Sequence, residues 1–256
     1  MRVLAPIIAL ARPFATLAWS NPCFCYKRPM KLVIFDCDGT LVDSQHAICA
    51  AMEYAFTAMA LPAPSRADIL GVVGLSLPQT FMVLAGQHPA SVQAALADHY
   101  RFDFPGKREE PALHDPLYPG IAGVVAALAR REDTLLGIAT GKSQRGVARL
   151  LAREGWLQHF VTIQTADENP SKPDPAMILN AMAQAGVEPS STVMIGDTTY
   201  DIEMARNAGV GAIGVSWGYH EPKRLTLAGA DTIVTSSDTL IAAIDTQFAA
   251  RAPVPT

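Results

Sequence analysis

The sequence predicts an α/β fold, a doubly wound parallel sheet with an all-helical segment inserted after its first strand. Three observations predict it. Short apolar runs rich in Val, Ile and Leu alternate with segments of helical periodicity along most of the 256 residues, which is the pattern of strand–helix units. Most of those runs are continuous rather than alternating, so their strands should be covered on both faces, as in a parallel sheet. Residues 44–116 interrupt the alternation with helical patterns alone.

The elements follow in chain order. Residues 1–29 carry Arg, Lys and several prolines, and no acid occurs before Asp36. Pro6, Arg12 and Pro13 break the apolar run, leaving it too short to span a bilayer. It also lacks the clean apolar centre and small-residue cleavage site of a secretory signal. We read it as a disordered extension, with Met30, directly before the first strand, as an alternative start. Its acid-poor, Arg-bearing character also fits a transit peptide loosely.

The first strand is LVIF at 32–35. Then come SQHAICAAMEYAFTAMA, SRADILGVVG, LPQTFMVLAG and PASVQAALADHYRFDF, helical in composition and separated by Pro and Gly. The stretch at 107–120, KREEPALHDPLYPG, carries the chain back. Strands are expected at 135–140, 160–165, 192–196, 211–215 and 231–235, and helices near 121–131, 143–153, 175–185, 201–208, 222–228 and 238–249. The predicted organisation is therefore a core of 30–43 and 117–250 with a helical insert at 44–116.

Composition narrows the function. Half of the residues are apolar and 17% are charged, as in a globular protein with a substantial core. A net charge of −4 without any basic run argues against nucleic acid as a partner. No segment is suited to a membrane. Cys23, Cys25, Cys37 and Cys49 all lie in the first fifth of the chain, with no CxxC or zinc spacing. A reducing, cytoplasmic compartment is expected, and either a monomer or a homodimer.

In sheets of this kind ligands sit beyond the carboxyl ends of the strands, and polar residues gather there. Asp36 and Asp38 follow the first strand, Thr140-Gly141-Lys142 the second, and Asp197 and Asp201 the fourth, while Lys172 precedes the helix near 175. Carboxylates converging on one spot would repel unless a cation joined them. Hard oxygen donors without His or Cys point to Mg²⁺. Thr140 and Lys172 supply a hydroxyl and a positive charge for an anion beside the metal. Acids plus metal on one side and donors plus Lys on the other describe a phosphoryl-transfer site. One carboxylate of the 36/38 pair can attack phosphorus and the other can serve the leaving oxygen as acid, then water as base.

DCDGTLVDS, ATGK, SKPDP and GDTTYD, in that order, resemble the four motifs of the haloacid dehalogenase superfamily. The helical insert resembles the small cap of its phosphoglycolate phosphatase and β-phosphoglucomutase branch, and the resemblance covers about residues 31–240. It implies a Rossmann-like core and a phosphatase acting on a small phosphorylated metabolite. By this resemblance Asp36 is the nucleophile and Asp38 the general acid/base. Mg²⁺ is held by Asp36, the Asp38 carbonyl and Asp197. Thr140, the Gly141 backbone and Lys172 bind the phosphoryl group, and Asp201 orients a metal water or Lys172. Gly74-Leu75-Ser76 resemble the cap loop that faces the active site.

Rival readings fall on specific residues. In an EF-hand the glycine would stand at the sixth position, but Gly39 is fourth, and position twelve is Ala47. GIATGKS narrowly misses a P-loop, because the first glycine would have to occupy the position of Leu136. Asp197 and Asp201 could simply favour a helix N-terminus. Asp43 and Ser44 are read as capping the first inserted helix, and none of the six histidines is given a role. Within the family, Asp38 argues against a dehalogenase. Lys107 is the only lysine of the insert and lies at its far end, which disfavours a phosphonatase. The favoured substrate is 2-phosphoglycolate, on cap type and LYPG; sugar-phosphate phosphatase, pyrophosphatase and phosphomutase stay open. Outside the class, a catalytically silent binding module is the alternative.

Overall fold

Strand β1, Lys31–Phe35, is the centre of the molecule. In this computed structural model, which describes residues 30–103 and 115–252, Leu32 through Phe35 are wholly buried. Leu32 and Ile34 enter one core and Val33 and Phe35 the other. Alternate residues point to opposite faces of a strand, so a continuous apolar run requires cover on both sides. The extension at 1–29 and positions 107–114 of the return stretch lie outside the described residues.

Five further strands are β2 (Thr134–Thr140), β3 (Phe160–Thr165), β4 (Thr192–Gly196), β5 (Gly211–Val215) and β6 (Thr232–Val234). All pair in parallel, in the order β3-β2-β1-β4-β5-β6. The order reverses between β1 and β4, and a crevice at such a reversal is where α/β sheets bind ligands. Helices α5 (Ile121–Ala129), α6 (Gln144–Arg153) and α10 (Ser237–Arg251) pack on the Val33/Phe35 face. Helices α7 (Ala176–Ala185), α8 (Thr199–Asn207) and α9 (Pro222–Ala228) cover the other.

Between β1 and α5 run α1 (Gln45–Ala58), α2 (Arg66–Gly71), α3 (Leu77–Leu84) and α4 (Ala90–Asp98), the last followed by a π-turn, His99–Asp103. They share a separate apolar cluster that includes Phe56, Ile69, Phe81 and Leu96. Phe81 is fully buried, which contributes about 1.5–3 kcal/mol. The outgoing and returning chains pair where they leave the sheet. Val42 bridges Leu117 antiparallel, the Asp43 N–H donates to the Pro116 carbonyl at 2.8 Å, and the Tyr118 N–H donates to that of Leu41 at 3.0 Å.

Several boundaries differ from the sequence expectation by one or two residues, and two of the differences have identifiable reasons. Strand β6 is shorter than 231–235 because Asp231 turns its carboxylate to the Ala212 N–H (2.8 Å) and to Arg206 (3.0 Å). Helix α8 begins at Thr199 rather than 201 because Thr198 caps it. Among the described residues no helix is long and apolar enough to cross a membrane.

Candidate active site

Pairing of β1 with β4 puts Phe35 opposite Ile195, so the residues that follow, Asp36 and Asp197, leave the sheet side by side. The Asp36 N–H donates to the Ile195 carbonyl at 3.0 Å. Helix α8 then starts immediately and brings Asp201 back to the same place. Ligand-capable oxygens of Asp36, Asp197 and Asp201 all lie within 4.8 Å of one another, and all three residues have no solvent exposure. At Gly39 φ is +87° and a Cβ would overlap the Asp197 carboxylate, so only glycine lets the chain turn this close.

Buried charge makes this arrangement costly unless a cation shares it. Burial is the largest influence on Asp36, raising its pKa to about 6 against the pull of Lys172. Asp197 is pushed well above its ordinary value, first by burial and then by Asp201 and Asp36. Lys172, itself fully buried, lies 3.0 Å from Asp36 Oδ1. That contact is an ion pair without hydrogen-bond geometry, and both Asp36 oxygens lack a hydrogen-bond partner. A buried carboxylate that is ion-paired with Lys172 but not hydrogen-bonded, beside other carboxylates and with oxygen as the donor type, fits a hard divalent cation.

Asp201 performs both of the roles weighed from sequence. Its Oδ2 accepts from the Thr198 N–H at 3.0 Å and the Thr198 hydroxyl at 2.7 Å, completing a capping box on α8. Its Oδ1 meets Lys172 Nζ at 2.6 Å. Burial alone would lower the Lys172 pKa, but Asp201 and Asp36 outweigh it and hold it above the ordinary value. With both oxygens committed, Asp201 is placed to aim Lys172. Asp197 is held by the Thr40 hydroxyl at 2.8 Å and the Tyr219 N–H at 2.9 Å.

Asp38 sits on the other side of the turn. Its Oδ1 accepts from the Ser44 hydroxyl at 2.7 Å and from Lys142 at 2.6 Å, and Lys142 also reaches Asp115 at 3.1 Å. This corrects the reading of Ser44 as a helix cap. Ser44 occupies the N-cap position of α1 but makes no side-chain cap bond; its backbone, at φ −96° and ψ 6°, lacks the extended form of a capping residue, and its hydroxyl donates to Asp38. Asp43 does bond locally, accepting from the Gln45 N–H at 3.3 Å. The Tyr219 hydroxyl accepts from the Ser44 N–H and lies 3.1 Å from the Ser44 hydroxyl. Lys142 was visible in the ATGK motif without an assigned role; for Tyr219 the sequence carries no signal.

The remaining expected residues surround this cluster. Thr140, at the end of β2, is buried, and its hydroxyl accepts from the Lys142 N–H at 3.2 Å. A Cβ at Gly141 would stand 2.7 Å from the Gly74 carbonyl oxygen and 2.8 Å from that of Leu75, so its lack of a side chain lets the inserted loop rest on it. The Ser76 N–H donates to the Ser171 hydroxyl at 2.8 Å. Gly74, Leu75 and Ser76 border one cavity with Asp38, Gly141 and Lys142. Nearby, the Gly71 carbonyl accepts from Tyr200 at 3.1 Å and faces His220 Nε2 at 3.2 Å. His220 Nδ1 accepts from the Thr199 N–H at 3.0 Å, so this histidine joins the insert to α8, a role its spacing did not suggest.

Comparison with known proteins gives the family of the chain. A family model described as haloacid dehalogenase-like hydrolase matches residues 33–215. The chain is 35% identical over 217 residues to the probable phosphatase IndB of Dickeya dadantii (strain 3937), covering 83% of this chain and 92% of that protein. It is 31% identical over 202 residues to a phosphoglycolate phosphatase of Agrobacterium fabrum, covering 75% of this chain and 83% of that one. Its fold is similar to the crystal structure of a predicted phosphatase from Clostridium acetobutylicum, with TM-score 0.75 and 26% identity over 85% of this chain and 99% of that one. The chain belongs to the haloacid dehalogenase-like hydrolase family and is an enzyme of the same kind as the phosphatases it resembles.

Proposed function

We propose that the enzyme is a cytoplasmic, Mg²⁺-dependent phosphatase that hydrolyses a small phosphomonoester through an aspartyl phosphate on Asp36. The observation that carries this reading is the buried Asp36 carboxylate, ion-paired with Lys172 but without a hydrogen bond, beside Asp197. Asp36, Asp197 and the Asp38 carbonyl would hold Mg²⁺. When bound, the ion neutralises phosphoryl and carboxylate charge and acts as a Lewis acid.

An Asp36 oxygen attacks phosphorus and the bond to the leaving oxygen breaks, while Asp38 gives that oxygen a proton. The Thr140 hydroxyl, the Gly141 N–H and the Lys172 ammonium receive the phosphoryl oxygens. The departing alcohol leaves Asp38 ionised. Asp38 then removes a proton from water as the water attacks the acyl phosphate, which releases phosphate and restores both carboxyl groups. Lys142 and Ser44 both contact Asp38 Oδ1 and hold that carboxyl in place for both halves. The inserted helices act as a cap that excludes water until the acyl phosphate has formed.

Names of relatives make 2-phosphoglycolate the first substrate to test. Sugar-phosphate hydrolysis and phosphoryl transfer to a second hydroxyl use the same core residues and differ in what the cap admits. Turnover of p-nitrophenyl phosphate with and without Mg²⁺, wild type against Asp36→Asn, tests the class. The reading requires Mg²⁺-dependent turnover that Asp36→Asn abolishes; equal turnover in the variant contradicts it.

A further inference from the structure

The loop that joins β5 to α9 carries Trp217, Tyr219 and His220. Toward the sheet, the Trp217 Nε1–H donates to the Thr40 carbonyl at 3.2 Å. The Tyr219 N–H donates to Asp197 Oδ2 at 2.9 Å, and the Thr40 hydroxyl donates to Asp197 Oδ1 at 2.8 Å. The loop and the turn after β1 thus hold one carboxylate by its two oxygens.

Toward the inserted helices the same loop makes two clasps. At the start of α1, the Tyr219 hydroxyl accepts from the Ser44 N–H at 3.1 Å. The Ser44 hydroxyl gives its proton to Asp38, so in its 3.1 Å contact with Tyr219 the phenol is the donor. At the end of α2, His220 Nε2 lies 3.2 Å from the Gly71 carbonyl. Its Nδ1 accepts from the Thr199 N–H, so the ring proton is on Nε2 and His220 donates to Gly71. His220 is buried. Five residues beyond Gly71, the Ser76 N–H donates to Ser171, which docks the same segment on the core a second time.

Resting on the phosphatase reading, we infer that Tyr219 and His220 are positioning residues that couple docking of the inserted helices to the placement of Asp38 and Asp197. The Tyr219 side chain acts through Ser44, and His220 acts through the Gly71 carbonyl. Docking brings Ser44 to Asp38 and Gly71 to His220, and the loop that holds both also holds Asp197 by its backbone.

Two measurements test this. In H220N the amide oxygen replaces Nδ1 and the donor to Gly71 is lost, whereas in H220Q the longer side chain carries an N–H to the place of Nε2. Hydrogen exchange of the 71–76 amides reads the docking, because the Ser76 N–H is bonded to the core. Exchange there should quicken about fivefold in H220N, as for one lost hydrogen bond, and stay near wild type in H220Q, with β2 unchanged in both. Unchanged exchange at 71–76 in H220N, or equal acceleration in β2, would overturn the clasp. The second readout is kcat/KM with Mg²⁺ for phenyl phosphate and p-nitrophenyl phosphate. They are similar in shape, but phenol needs a proton from Asp38 far more than p-nitrophenol does. H220N and Y219F should each lose about fivefold on phenyl phosphate and less than twofold on the nitro ester, and H220Q should recover most of the loss. Should H220N not fold, Y219F decides the same way. Equal losses on both substrates, or none on either, would overturn the positioning role while leaving the phosphatase reading intact. Absence of Mg²⁺-dependent turnover of either substrate by wild type would remove that reading and the inference with it.

Discussion

Lys172 Nζ meets Asp201 Oδ1 at 2.6 Å with neither side chain exposed to solvent. The other oxygen of Asp201 caps α8, so the helix that begins after β4 fixes the lysine that faces Asp36. Architecture and chemistry share one carboxylate. Asp201→Asn preserves the shape but removes the charge, leaving Lys172 with Asp36 as its one charged partner within ion-pair distance. We expect kcat to fall at least tenfold and the protein to lose about 3 kcal/mol, as when a buried pair is broken. Steady-state kinetics and chemical denaturation check both.

Mg²⁺ should stabilise the protein most above pH 6. In the metal-free protein Asp36 is raised from 3.8 to about 6, chiefly by burial, and Asp197 is raised as well. Folding therefore favours the protonated carboxyl. That contribution is complete below about pH 4 and is lost as pH rises through about 6, on the order of 3 kcal/mol for Asp36 alone. Thermal melts with EDTA should show the chelated protein weaker at pH 7.5 than at pH 5.5, with Mg²⁺ restoring far more at the higher pH. An equal Mg²⁺ effect at both values would refute the acid cluster as the cation's site.

Removing the Ser44 hydroxyl takes a donor from Asp38 Oδ1, which Lys142 also contacts. Ser44→Ala should lower kcat about tenfold, the range of a hydrogen bond to a charged group, and change KM little. Tyr219→Phe should do the same more weakly, since its hydroxyl acts through Ser44. A pH–rate profile of each variant tests whether the defect lies in proton transfer, which would alter its limbs, or in folding, which would not.

Gly141→Ala sets a methyl against the Gly74 and Leu75 carbonyls. The inserted loop must then stand off the phosphate side of the site. KM for a phosphomonoester should rise about tenfold or more, while the melting temperature stays near that of wild type, because the clash is relieved by opening rather than unfolding. An unchanged KM would show that the loop does not close on Gly141.

Much of this was legible in the sequence because the chemistry is local to strand ends. LVIF reads as a strand buried on both faces, Asp36 and Asp197 directly follow their strands and Thr140 ends its own, so pairing of β1 with β2 and β4 suffices to bring them together. The capping and charge-pairing readings of Asp201 are both true, and a motif alone offers no way to see that one carboxylate has two oxygens to spend. What stayed hidden depends on distant partners. Tyr219 meets Ser44 across 175 positions, and His220 meets Gly71 across 149; no spacing rule spans such separations. Ser44 was misread because its local context, just before a helix, suits a cap, and only the fold reveals the backbone form that aims its hydroxyl at Asp38 instead.

The most direct measurement is a rapid acid quench of wild-type enzyme during turnover with Mg²⁺ and a radiolabelled phosphomonoester, followed by mapping of the label. The account predicts acid-stable, hydroxylamine-labile phosphate on the peptide carrying Asp36, increased in Asp38→Asn and absent in Asp36→Asn. Label at any other residue, or sustained turnover with no protein-bound phosphate at any quench time, would contradict it.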